Sequence, residues 1–160
     1  MKRERLIVVT GSPQIHDESS TINIMWSLGL CLLPAAVWGL YIFGIPAAMV
    51  LFVSIGTAMA SEAVFSSYLK RFSLWDGRAF VTGLLVGMNM PPAVPLYVPA
   101  AASLFAIGVV KWTFGGLGRN WMNPALAGRV FALFSWPAHM TRWTSPATLQ
   151  GADRISAATP

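Results

Sequence analysis

The tail Asp153-Arg154-Ile155-Ser156-Ala157-Ala158-Thr159-Pro160 sets two hydroxyls, Ser156 and Thr159, behind the Asp153 carboxylate. Hydroxyls placed in this way are candidates to anchor a covalently attached group. As a bare string the tail also reads as a solvated turn ending in Pro160. Two further ionisable residues stand alone in apolar surroundings, where a charge at membrane depth costs about 2.5–3.5 kcal/mol on insertion scales. Glu62 follows the small-residue run Gly56-Thr57-Ala58-Met59-Ala60-Ser61, which permits close helix approach. It faces a neighbour or an ion path, or it is an interfacial carboxylate displaced in depth; both readings stand open. Arg129 lies in Asn123-Pro124-Ala125-Leu126-Ala127-Gly128-Arg129, near a broken helix start. It serves an anionic group such as a phosphate, or it snorkels to the interface.

The elements that must position these residues are membrane helices. Hydrophobic residues make up 55% and charged residues only 11%, and mean hydropathy is +0.59, too apolar for an ordinary soluble domain. From Ile22 to Ser61 there is no Asp, Glu, Lys or Arg, and the run is broken only at Gly44-Ile45-Pro46. That pattern predicts a hairpin of two spans, 24–43 and 47–69, each long enough for a hydrocarbon core of roughly 30 Å. The basic start Met1-Lys2-Arg3-Glu4-Arg5 is separated from the first span by mostly polar residues, so it does not resemble a cleavable signal peptide.

Beyond the hairpin the apolar segments are shorter. Residues 79–90 run into Pro91, Pro92, Pro95 and Pro99, which a single straight helix does not accommodate. The stretch 89–95 is a candidate cavity lining of the kind that discontinuous membrane helices form, or a simple extracytoplasmic loop. Two more spans are expected at 96–114 and 122–136. Lys2, Arg3 and Arg5 precede span one, and Lys70, Arg71 and Arg78 follow span two. The positive-inside bias puts both groups in the cytoplasm, and Lys111 and Arg119 join them if 79–95 crosses outward. The resulting expectation is an all-α polytopic membrane protein with about five transmembrane helices, some broken by Gly or Pro. It divides into a cytoplasmic segment 1–22, a transmembrane domain 23–137 and an extracytoplasmic tail 138–160.

Several function classes recede. The net charge of +5 comes from cations dispersed between apolar segments, not from a stripe interleaved with aromatics, so no nucleic acid is expected. His16 and His139 lack neighbours at ligand spacing, Cys31 has no second cysteine, and no haem or iron–sulfur motif occurs. Cys31 is expected as packing. Trp26, Trp38, Tyr41, Trp136 and Trp143 fall near expected span ends, as interfacial anchors do.

In order along the chain come Ser12-Pro13-Gln14-Ile15-His16, Leu33-Pro34-Ala35-Ala36, Tyr41-Ile42-Phe43-Gly44, Asp76-Gly77-Arg78-Ala79, Thr82-Gly83-Leu84-Leu85 and Asn89-Met90-Pro91-Pro92. They are followed by Lys111-Trp112-Thr113-Phe114-Gly115-Gly116-Leu117-Gly118, Asn123-Pro124-Ala125 and Met140-Thr141. In these motifs the chain resembles the D-type membrane component of Rnf electron transport complexes, with the B-type component of the sodium-pumping NADH:quinone reductase a more distant relative. The resemblance covers essentially the whole chain. The tail Asp-x-x-Ser-x-Ala-Thr is similar to the acceptor motif on which a flavin transferase joins the phosphate of FMN to a Thr hydroxyl. Related motifs often have Gly where this chain has Ala157.

The resemblance implies a membrane subunit of a complex that moves electrons between ferredoxin and NAD while translocating ions, in a bacterial or archaeal cytoplasmic membrane. Covalent FMN would sit on extracytoplasmic Thr159, with Asp153 and Ser156 completing the motif, Arg129 near an anionic reduced flavin or phosphate, and Glu62 on an ion path. Riboflavin in the membrane region, the other Rnf-type subunits, the flavin transferase and membrane lipid are the implied ligands and partners. Family members continue for roughly another half that resembles an inverted repeat of the first, so these residues are expected to be an N-terminal half, a split subunit or a truncated form. A channel or transporter for a small solute or ion, and a scaffold subunit without redox function, are the rival readings. Bound flavin separates them.

Overall fold

The computed structural model describes residues 20–68, 74–113 and 122–142. Among these residues all regular structure is helical. The charge-free run folds as α1 (Thr21–Phe43) and α2 (Ile45–Tyr68), of 23 and 24 residues. At about 1.5 Å per residue each reaches about 35 Å, more than the hydrocarbon core requires. Helix α1 opens with a cap in which the Ser20 hydroxyl accepts from the Ile22 N–H at 3.4 Å. It closes at Gly44, whose φ of 70° and ψ of −152° fall in a region that residues with a Cβ avoid. Pro46 then stands in the first turn of α2, where its missing N–H has no intrahelical role. The expected hairpin turn is thus one non-helical residue.

The remaining elements are shorter. A 3-10 turn (Leu74–Asp76) leads to α3 (Arg78–Met88); α4 (Tyr97–Phe105) continues directly as a π-helical stretch (Ala106–Trp112); α5 (Pro124–Ser135) is followed by the single turn α6 (Pro137–Met140). With 11 and 12 residues, α3 and α5 are only about 16–18 Å long, and α4 with its π continuation is no longer than about 24 Å. Among the described residues, then, two helices have the length and apolarity to cross a membrane, and three apolar helices fall short of it. The expected break between α3 and α4 is present: residues 89–96 contain no helix. Asn89 finishes α3 by donating from Nδ2 to the Leu85 carbonyl at 2.8 Å.

Helix α2 is the central stave. Ser54, Ala58, Glu62 and Ser66, each four residues on from the last, form its buried stripe. Helix α3 lies against this stripe so closely that a Cβ on Gly83 would stand 2.7 Å from the Ile55 Cα. The Ser54 hydroxyl uses that proximity to donate to the Gly83 carbonyl at 2.9 Å. A cluster of Val50, Val86, Val98, Ala102, Ala106 and Ala132 ties α2 and α3 to α4 and α5.

Helix α1 is different. Only Gly29 and Ala36, two turns apart on one face, are buried, whereas Leu30, Val37, Trp38 and Tyr41 are exposed. That outward apolar surface suits lipid. Cys31 is exposed as well, contrary to the packing role expected of it, because it lies nearly opposite the Gly29–Ala36 face. Of the expected anchors, Trp26, Trp38 and Tyr41 are exposed on α1, while Trp136 is half-buried against Tyr97. Trp143 lies outside the described residues.

Candidate functional site: a buried ion pair and a broken-helix contact

Glu62 is fully buried on the α2 stripe. Lys111 Nζ donates to its Oε1 at 2.7 Å and Trp112 Nε1 donates to its Oε2 at 3.1 Å. Two adjacent residues therefore hold the two oxygens of one carboxylate. An α-helix turns successive side chains about 100° apart; the wider π turn of residues 106–112 brings Lys111 and Trp112 closer in direction. The Trp112 ring also stacks on Phe65, one turn beyond Glu62, with centroids 6.3 Å apart. Lys111 is only 3% exposed. It nevertheless forms part of the wall of a cleft of about 430 Å³ whose other polar lining groups are Arg78, Thr82 and Asn123. Arg78 pairs there with Asp76 at 3.6 Å. Among the described residues, two carboxylates and two cations thus balance at this end of the bundle.

The second polar contact lies at the other end of α3. Arg129, halfway along α5, is half-buried and donates from Nη1 to Asn89 Oδ1 at 3.0 Å. Asn89 is in turn anchored to Leu85, so the guanidinium is turned inward onto the break between α3 and α4. Nearby, Tyr97 at the start of α4 packs edge-on against Trp136 and His139.

The structure thus joins two features that the sequence offers separately, Arg129 and the broken stretch 89–95. It keeps Glu62 apart from them, about one α3 length away along the bundle, on the order of 16 Å. Of the two readings of Glu62, the one with a protein neighbour describes its environment. Asp153, Ser156 and Thr159 lie outside the described residues. Lys111 and Trp112 are not among the site residues expected from sequence, where Lys111 serves as a marker of a span end. The signal that points to Lys111 is a lone base in one apolar segment matched by a lone acid in another, since charges in membrane segments pair with one another. Among the described residues no three His, Cys, Asp or Glu side chains converge as metal ligands.

Residues 8–160 match the model of the NQR2, RnfD, RnfE family. The chain belongs to that family. Among its relatives, the D-type component of the proton-translocating ferredoxin:NAD(+) oxidoreductase complex of Clostridium ljungdahlii is 40% identical over 159 residues, 99% of this chain and 48% of that protein. The corresponding D-type component of the Na(+)-translocating ferredoxin:NAD(+) oxidoreductase complex of Acetobacterium woodii is 41% identical over 155 residues, 96% of this chain and 48% of that protein. The D-type component of the ion-translocating oxidoreductase complex of Stutzerimonas stutzeri is 40% identical over 133 residues, covering 82% and 38% of the two chains. The chain spans about half the length of the first two relatives. For a member of the NQR2, RnfD, RnfE family, then, the described helices place one buried charge pair near the α2 C-terminus and one Arg–Asn contact at a helix break.

Proposed function

We propose that this chain acts as a membrane subunit of an ion-translocating ferredoxin:NAD oxidoreductase complex, and that it relays electrons through FMN joined to Thr159 by a phosphoester. The observation that carries the reading is the match of nearly the whole chain, at 40–41% identity, to relatives named as the D-type component of such complexes. The family match runs through residue 160 and so includes the tail that bears Asp153, Ser156 and Thr159. When bound, FMN supplies one- or two-electron exchange, and the protein's part is to fix its position. Thr159 Oγ1 carries the tether, Ser156 shares the motif, and Asp153 orients the Thr hydroxyl while a flavin transferase attaches the group. A covalent tether gives a high effective concentration beside electron partners without a deep pocket in this chain.

In this reading α1 to α5 make five passages, with the N-terminus cytoplasmic and Thr159 outside. The short α3, α4 and α5 complete their passages inside the assembled complex, where irregular backbone faces protein. Arg129 at the helix break stabilises an anionic flavin or phosphate, and Glu62 belongs to the ion path. The test is intact mass and in-gel flavin fluorescence of the denatured chain, made with and without a flavin transferase, beside Thr159→Ala. An FMN-sized increment that survives denaturation in the wild type and is lost in the variant is expected. A wild type that carries no flavin despite an active transferase would favour a non-redox transporter built on the α3–α4 break, or a scaffold subunit.

A further inference from the structure

The cleft beside Lys111, about 430 Å³ in volume, has the size of a small-ligand pocket, and none of its lining residues is an acid. Its polar groups are mostly N–H donors. The Lys111 ammonium gives one of its three protons to Glu62, which lies behind it and is fully buried. Asn123 uses its Oδ1 to cap α5 and retains the N–H groups of its amide. Arg78 Nε is buried without a hydrogen-bond partner among the described residues, since Asp76 Oδ2 stands at 3.6 Å, beyond hydrogen-bond reach. Buried donors of this kind are rare in folded proteins and call for an acceptor. We propose that the cleft binds an anionic phospholipid: the phosphodiester oxygens accept from Arg78, Lys111 and Asn123, and an acyl chain lies between Met25 and Leu28 of α1 and Val81 and Leu85 of α3.

Depth, shape and charge each favour a lipid. Met25 and Leu28 stand about 6–11 Å in from the first residue of α1, and Leu85 is about as far from the start of α3. A headgroup layer of roughly 5–7 Å flanks the hydrocarbon core on each side, so the cleft runs from headgroup depth into acyl-chain depth. Leu28 is exposed, which opens the apolar side of the cleft toward the outward surface of α1. A free anion would use the polar end alone and leave the apolar walls wet. A zwitterionic headgroup would bring an ammonium for which the lining offers no carboxylate. Arg78 opens α3 and Asn123 caps α5, so the positive ends of two helix dipoles add to the preference for negative charge. The sequence adds Lys70 and Arg71 to the connection between α2 and α3, and basic pockets between membrane helices are sites for acidic headgroups.

The experiment uses the assembled complex containing this chain, purified in detergent and stripped of lipid by exchange. Phosphatidylglycerol, phosphatidylcholine or inorganic phosphate is titrated in, and bound copies are counted by native mass spectrometry. Wild type is compared with Arg78→Gln, which removes the charge and the buried Nε, and with Leu28→Trp, which fills the apolar side from an exposed position and leaves every polar group in place. The wild type is expected to hold phosphatidylglycerol more tightly than phosphatidylcholine. Affinity for the tightest copy should fall about five-fold in Arg78→Gln, the effect of losing one basic contact to an acidic lipid, together with the preference over phosphatidylcholine. Leu28→Trp should weaken both lipids and keep the preference. Equal binding of the two lipids by the wild type overturns the proposal, as does lipid binding that Leu28→Trp leaves unchanged. Displacement of the tight copy by millimolar phosphate in wild type and Leu28→Trp alike would give the site to a free anion and overturn the lipid. A noncovalent flavin released from the wild type and missing from Leu28→Trp would overturn it too, in favour of that ligand. Should Arg78→Gln fail to assemble, Leu28→Trp decides alone.

Discussion

Glu62–Lys111 and Asn89–Arg129 are both polar contacts across an apolar bundle, at opposite ends of α3, and they are built on different terms. The first unites two full charges in a fully buried position. The second sets one charge against a neutral amide in a half-buried position, and a guanidinium has further donors beyond the one that Asn89 takes. A buried pair is locked to its own partners, and removing either half strands the other. A half-buried cation on an amide retains capacity for a third party. The contrast leaves the Glu62 end closed on its own partners and the Arg129 end with donors that Asn89 does not use.

The sharpest way to break this contrast is Lys111→Met. It strands the Glu62 carboxylate and is expected to destabilise the bundle by about 3–5 kcal/mol, read as lost assembly in membranes or a lower detergent denaturation midpoint. Combining it with Glu62→Gln should recover most of that loss; failure to recover would mean that the pair is not the cause. Trp112→Phe keeps the ring stack and removes one hydrogen bond to the buried carboxylate, a loss of about 1.5–3 kcal/mol that a detergent denaturation midpoint reads. Next in size is Gly83→Ala, on the α2–α3 seam that connects the two ends. The added Cβ would lie 2.7 Å from backbone, and overpacking of this kind costs about 1–3 kcal/mol, while Gly39→Ala, with nothing within 4 Å, should leave stability within about 0.5 kcal/mol of the wild type. Arg129→Leu should cost about 1 kcal/mol or less in stability, since exposure screens the contact, but lower flavin content or turnover; full activity in that variant would leave Arg129 a structural role.

The long elements are legible in the sequence because their signal is local. A charge-free run interrupted by Gly-Ile-Pro marks α1, the Gly44 turn and α2. Prolines at 91, 92 and 95 announce the break after α3, and the break is there. The π-helical stretch is not legible, since Ala106-Ile107-Gly108-Val109-Val110-Lys111-Trp112 contains no residue type that selects a π turn over an α turn. Lys111 escapes a sequence reading for a related reason. Its partner is 49 residues away in sequence, so its role depends on how α2 and the π stretch pack together, which no local periodicity encodes. The segments 79–90 and 122–136 are recognisable as apolar and short, but only the coordinates give their helices as 11 and 12 residues.

The Gly44 connection bears on how the protein is made. With one residue between α1 and α2, neither helix has a polar loop to lead it out of the insertion machinery separately, so the two enter the bilayer as a single folded-back unit. That unit contains no charge from Ile22 to Ser61 and hence no information about which way up it should lie. Its orientation in the membrane is set by the cations that flank it. Moving basic residues into the Gly44 turn would therefore invert or stall the whole hairpin together, carrying Glu62 to the wrong end of the bundle before α3 has been synthesised.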